Sequence, residues 1–179
     1  MHYQNIDEIY SANDRFRSDL AQAVTGLAAE ELKALPSGEK WSLEQIVEHV
    51  AIVDDGMARI CRKLLAEAEE KGLKSSGEIL VSDVFRSYTE NTDGVRLEAP
   101  ERVQPSGELS VRDSQAKMIE SKKLFETLRP LFGEFDGTMP KFPHPYFGPL
   151  SAQEWLVLAG EHMHRHSGQI EKLIEKIRQ

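Results

Sequence analysis

The sequence predicts an all-α chain folded as a four-helix bundle. Three observations carry that expectation. Four long segments repeat their apolar residues at helical spacing, two of them open on capping signatures, and no run alternates convincingly with period two, so strands are expected to be absent or minor. At 179 residues the chain fits a single domain, taken as residues 1–179. With 40% hydrophobic residues it carries enough apolar material for one sizeable core.

The first helix is expected over residues 5–27, with a stripe of Ile6, Ile9, Phe16, Leu20, Val24 and Leu27 that Asn13 interrupts. Leu35-Pro36-Ser37-Gly38 then breaks the chain. The second helix starts at Ser42, which with Gln45 three residues on makes a capping box, and runs to about Glu70 before Lys71-Gly72 ends it. Residues 74–109 show weak periodicity, marked by Ser75-Ser76-Gly77, Asp93-Gly94, Pro100 and Pro105, with room for a short helix over 81–90. This is a long crossover, a connection that often covers a site or reverses a bundle's direction. The third helix is expected over 110–132, with Met118, Phe125, Leu128 and Phe132 inward and Ser114 and Ser121 on the same side. A loop rich in glycine, proline and aromatics fills 133–150, and the fourth helix opens at Ser151 with Glu154 as its capping partner.

The balance of 30 acidic against 22 basic residues gives a net charge of -8, which argues against a nucleic-acid partner. The single cysteine, Cys61, leaves no intrachain disulfide. No signal peptide opens the sequence, and no stretch approaches the roughly 20 apolar residues a bilayer requires, so the expectation is cytoplasmic with no membrane partner.

The chemistry concentrates in the histidines His2, His49, His144, His162, His164 and His166. Residues four apart on a helix differ by about 40°, so His162 and His166 share a face with Trp155, Ala159, Gln169, Leu173 and Ile177. His164 points the other way, toward solvent. On the second helix His49 sits among Ile46, Ile52, Val53, Gly56 and Ile60 and also points inward. Three buried imidazoles are costly without partners. One divalent metal satisfies all three, and a pair at i, i+4 joined by a ligand from a neighbouring helix is a facial ligand set. The alternative is that they are hydrogen-bonded core histidines. Met163 follows His162 where the H-E-x-x-H pattern needs glutamate, which argues against a metalloprotease.

Trp41-Ser42, with His49 seven residues beyond the serine, resembles the opening of the second helix in the DinB-like superfamily, which includes bacillithiol transferases and mycothiol-dependent maleylpyruvate isomerases. The stretch His162-Met163-His164-Arg165-His166-Ser167-Gly168-Gln169-Ile170 resembles that family's H-x-x-x-H-x-x-Q-I signature, and His144-Pro145-Tyr146-Phe147-Gly148-Pro149-Leu150 resembles its entry to the last helix. The resemblance implies an up-down-down-up bundle and a metal on His49, His162 and His166 with positions left open. It also implies pairing into a homodimer through outer helix faces.

Gln169 is a candidate for orienting a ligand imidazole or a metal-bound water, packing between helices being its other role. Asn13 and Ser121 are candidates for lining the pocket and His144 for capping it, each with an ordinary structural alternative. Zinc or nickel heads the cofactor expectation, with iron or manganese behind. The leading activity is a metal-dependent thiol S-transferase that joins a small-molecule thiol to an electrophile, with a hydrolase as the nearby variant. A metal-binding or stress-response bundle without turnover is the alternative class.

Overall fold

The computed structural model describes residues 3–90 and 98–179. Helix α1 (Ile6–Ala23) opens on Asn5, whose side-chain oxygen accepts from the Glu8 N–H at 3.0 Å. It stops short of the expected Leu27 because the chain turns at Gly26, whose φ of 78° lies in the left-handed region. A short α2 (Ala29–Lys33) follows, which the sequence did not announce. Ala28 offers no side-chain cap, and it is Glu31 that reaches back to the Ala28 N–H at 2.9 Å.

The two expected capping boxes are present. Ser42 and Gln45 exchange hydrogen bonds at the start of α3 (Leu43–Glu70), as do Ser151 and Glu154 at the start of α6 (Ala152–Ile177). Between them lie α4 (Asp83–Glu90), a 3-10 turn (Glu101–Val103) and α5 (Val111–Glu134). Helix α5 continues through Pro130, which has no N–H to donate to the preceding turn. The break expected at Asp93-Gly94 and the residue His2 lie outside the described residues.

Four long helices make the bundle. Helix α1 packs on α6, α6 on α3, and α3 on α5. The ion pairs Asp14–Lys122 at 2.8 Å and Asp7–Arg129 at 3.9 Å run α1 against α5 in opposite directions. Helices α3 and α5 run the same way. Glu48 near the start of α3 holds Ser106 and Gly107 just before α5, while Lys74 bridges Phe135 beyond the ends of both.

The core falls into two apolar clusters stacked along the bundle. One contains Ile9, Met57, Leu64, Phe125, Phe132 and Trp155; the other contains Leu20, Leu43, Val50, Met118, Met163 and Ile170. On each long helix a polar or small residue falls between them: Asn13 and Arg17, Asp54, Ser121 and Gly160. In this middle layer the Arg17 guanidinium reaches both oxygens of the buried Asp54 at 3.3 Å. Burial pushes the Asp54 carboxyl up and Arg17 opposes it. Asn13 donates to the Leu156 carbonyl at 2.9 Å, and α6 comes so close that a Cβ on Gly160 would lie 2.0 Å from the Asn13 Oδ1.

The stretch expected to be loop contains a small antiparallel hairpin, β1 (Lys141–His144) and β2 (Gly148–Ser151), with Pro143 directly opposite Pro149. Its first strand alternates exposed Lys141 and Pro143 with half-buried Phe142 and His144, a pattern too short to stand out among prolines. No helix among the described residues is long and apolar enough to cross a membrane.

Candidate metal centre

Helices α3 and α6 bring His49, His162 and His166 together, as their helical phases require. The His162 Nε2 lies 3.2 Å from the Nε2 of His49 and 3.2 Å from that of His166. All three ligand atoms fall within 4.8 Å of one another. His49 and His166 are buried, and His162 keeps a partial opening to solvent.

The outer nitrogens fix where the protons are. His49 Nδ1 faces the Val103 carbonyl at 2.7 Å, and a carbonyl only accepts, so that nitrogen carries the hydrogen. Gln169 turns its amide oxygen to His166, and in that orientation the His166 Nδ1–H donates to the Gln169 Oε1 at 2.8 Å. Both rings therefore turn a bare Nε2 lone pair toward His162. A single N–H on His162 Nε2 can serve only one of them, so the cluster is short of positive charge at its centre. A divalent cation supplies it. Three zinc–nitrogen bonds of about 2.0–2.1 Å at tetrahedral angles would set the nitrogens roughly 3.3–3.4 Å apart, close to the 3.2 Å of the two pairs that His162 makes. The donor set fits the ion.

Electrostatics keep the imidazoles neutral and available. Burial lowers the His49 pKa and holds His162 well below the ordinary value, and it brings His166 down to about 3. The charge of Arg165, the residue before His166 on α6, acts on all three in the same direction. Trp41 packs on the His49 ring, centroids 4.8 Å apart, so the tryptophan before the helix holds the ring's outer side.

Gln169 joins the cluster through His166, whereas Asn13 and Ser121 belong to the middle layer. The Ser121 hydroxyl donates to the Lys117 carbonyl of its own helix at 3.1 Å. His144 stands in β1, half-buried, stacked on Phe147 at 4.3 Å and set against Trp155 at 5.2 Å. Its Nδ1 accepts from the Tyr146 and Phe147 amides at 3.2 Å each, so its hydrogen sits on Nε2. Burial and the Arg102 charge bring its pKa down to about 4. His164 is exposed and packs on Phe16 at 4.8 Å, outside the triad.

Sequence reasoning missed Val103, Arg102 and Arg165. A backbone carbonyl has no residue signature, and nothing in the crossover's composition marks it as the partner of His49.

The family model described as "DinB superfamily" matches residues 12–170 of this chain, from within α1 to within α6 and including the three histidines. The chain belongs to the DinB superfamily. The chain is also similar to a protein of Bacillus subtilis (strain 168) described as "Uncharacterized protein YuaE". That protein is 25% identical over 156 residues, covering 85% of this chain and 88% of its own. Among solved structures the fold matches TT2238, a four-helix bundle protein, with a TM-score of 0.58 and 20% identity over 92% of this chain and 96% of that one. At that identity the structural likeness speaks for the bundle alone.

Proposed function

We propose that this DinB-superfamily chain binds one divalent metal ion on His49, His162 and His166, zinc or nickel ahead of iron or manganese, and uses it to transfer a small-molecule thiol to an electrophile. The observation that carries the reading is the pair of anchored Nδ1 atoms, which leaves the Nε2 lone pairs of His49 and His166 converging on His162. When bound, the ion would supply a +2 charge that lowers the pKa of a thiol or of water.

The chain's own residues do the remaining work. Three neutral imidazoles add no charge to the ion, which favours an anionic nucleophile. Arg165 beside the triad adds to that preference. His162, the partly open member, marks the side from which a small molecule would enter. His144, locked as an Nε2–H donor in the hairpin that leads into α6, would orient a polar group of the substrate. Cys61 is buried with its thiol pKa raised by burial, so the transferred sulfur comes from a substrate and not from the chain.

The test is elemental analysis of the purified protein followed by a screen of low-molecular-weight thiols against electrophiles, with and without chelator. The reading expects bound metal, and transfer that a chelator abolishes and zinc or nickel restores. Activity that resists chelator and survives His166→Ala would place the chemistry elsewhere.

A further inference from the structure

Glu48 precedes His49 on α3 and is 1% exposed. A carboxylate at that depth needs donors, and it has three, all from one short piece of the crossover. Its Oε1 accepts from the Ser106 N–H at 2.9 Å and the Ser106 hydroxyl at 2.6 Å, and its Oε2 accepts from the Gly107 N–H at 2.8 Å. Gly107 adopts a φ of 79°, a left-handed conformation that lets consecutive N–H groups face one anion. The same piece of chain begins with the Val103 carbonyl that receives the His49 Nδ1–H at 2.7 Å.

Residues 103–107 thus form an arch whose two feet stand on adjacent side chains of α3. Neighbouring helical residues diverge by about 100°, so Glu48 cannot turn onto the ligand face that His49 occupies. It reaches His49 only through the arch. We infer that Glu48 is a positioning residue: by clasping Ser106 and Gly107 it holds the Val103 carbonyl over His49, fixes the proton on Nδ1 and presents Nε2 to the metal position.

The contrast with His166 makes this specific. His166 takes its partner from Gln169 on its own helix, and needs no help from the crossover. Without the clasp, the Val103 carbonyl and His49 Nδ1 would both turn to water. The His49 ring would then exchange between tautomers, while His166 would not.

The metal arm of the inference rests on the proposed function; the proton arm does not. The experiment compares metal-free wild type with Glu48→Gln, which keeps the side chain's shape but sets an NH2 against backbone donors. Imidazole nitrogen-15 spectra at neutral pH read the tautomers, and cobalt(II) titration followed by visible absorption reads the affinity. The expected result is a His49 ring that loses its fixed Nδ1–H form, an unchanged His166 ring, and cobalt affinity lower by about 10-fold. A His49 ring still fixed on Nδ1–H in folded Glu48→Gln protein overturns the inference. Should that variant not fold, Ser106→Ala removes the shortest of the three contacts. A partial loss of the His49 signal with about a 2–3-fold drop in affinity supports the clasp, and spectra identical to wild type reject it. Wild-type protein that takes up no cobalt or zinc would defeat the metal reading, while the tautomer comparison would still decide the role of Glu48.

Discussion

The two walls of the histidine cluster are built by opposite means. On the α6 wall, His166 is steadied by a residue three positions along the same helix. On the crossover wall, His49 is steadied by a carbonyl 54 residues away in the chain. The first arrangement is a by-product of helical geometry and forms whenever α6 forms. The second needs a long connection to dock in one register, and the contacts that seat it beside His49 are polar, from Ser106 and Gly107 to Glu48. Precision on one side is local and on the other must be assembled.

The largest effect that would test this contrast comes from the nitrogen shared by both walls. His162→Ala should lose stoichiometric zinc, a drop beyond the roughly 10–100-fold typical of an outer partner. His164→Ala should leave metal content unchanged. Elemental analysis of the two variants checks this, and equal losses would refute the phase of α6. Next is Gln169→Ala, expected to weaken zinc binding by about 10–100-fold while amide exchange in the crossover stays as it was. If crossover exchange rose as well, the two walls would not be independent.

A packing change on α6 sharpens the same point. Gly160→Ala sets a methyl group into the Asn13 side chain and should destabilise the bundle by about 1–3 kcal/mol in urea titration. Adding Asn13→Ala should recover part of that loss, because it removes the atom the methyl group strikes.

Acid should act on both walls together. His166, with its pKa down to about 3, and His49 and His162, also lowered, bind protons more readily when unfolded. Metal-free protein should hold its full stability above about pH 6.5 and lose it progressively as the pH falls from there toward 3. Urea midpoints across that range measure it, and a midpoint that rises on acidification would contradict the neutral, buried assignment. The smallest effect is kinetic: the amides of Val103, Gln104, Ser106 and Gly107 should exchange by local opening, faster than those in the middle of α6.

What the sequence disclosed follows the same division. His162, His166 and Gln169 were readable because their spacing is a property of one helix. The boxes at Ser42 and Ser151 were readable because a cap is a local pattern. His49 was readable as inward-facing, but its partner was not, since the Val103 carbonyl carries no side-chain signal. Asn13 and Ser121 stand out in the sequence as breaks in apolar stripes. Their place in a polar middle layer depends on how helices align across the bundle, which no single helix specifies. Helix α2 escaped notice because Ala28 looks nothing like a cap, and the hairpin because four residues of alternation among prolines resemble a loop.

That hairpin also bears on how the molecule behaves among copies of itself. A ribbon of two strands leaves both outer edges unpaired, the arrangement from which chains recruit one another into aggregates. Here the rung at Pro143 and Pro149 has no N–H on either strand. An incoming strand would meet a missing donor in the middle of each four-residue edge, so this hairpin is poorly suited to templating intermolecular sheet growth.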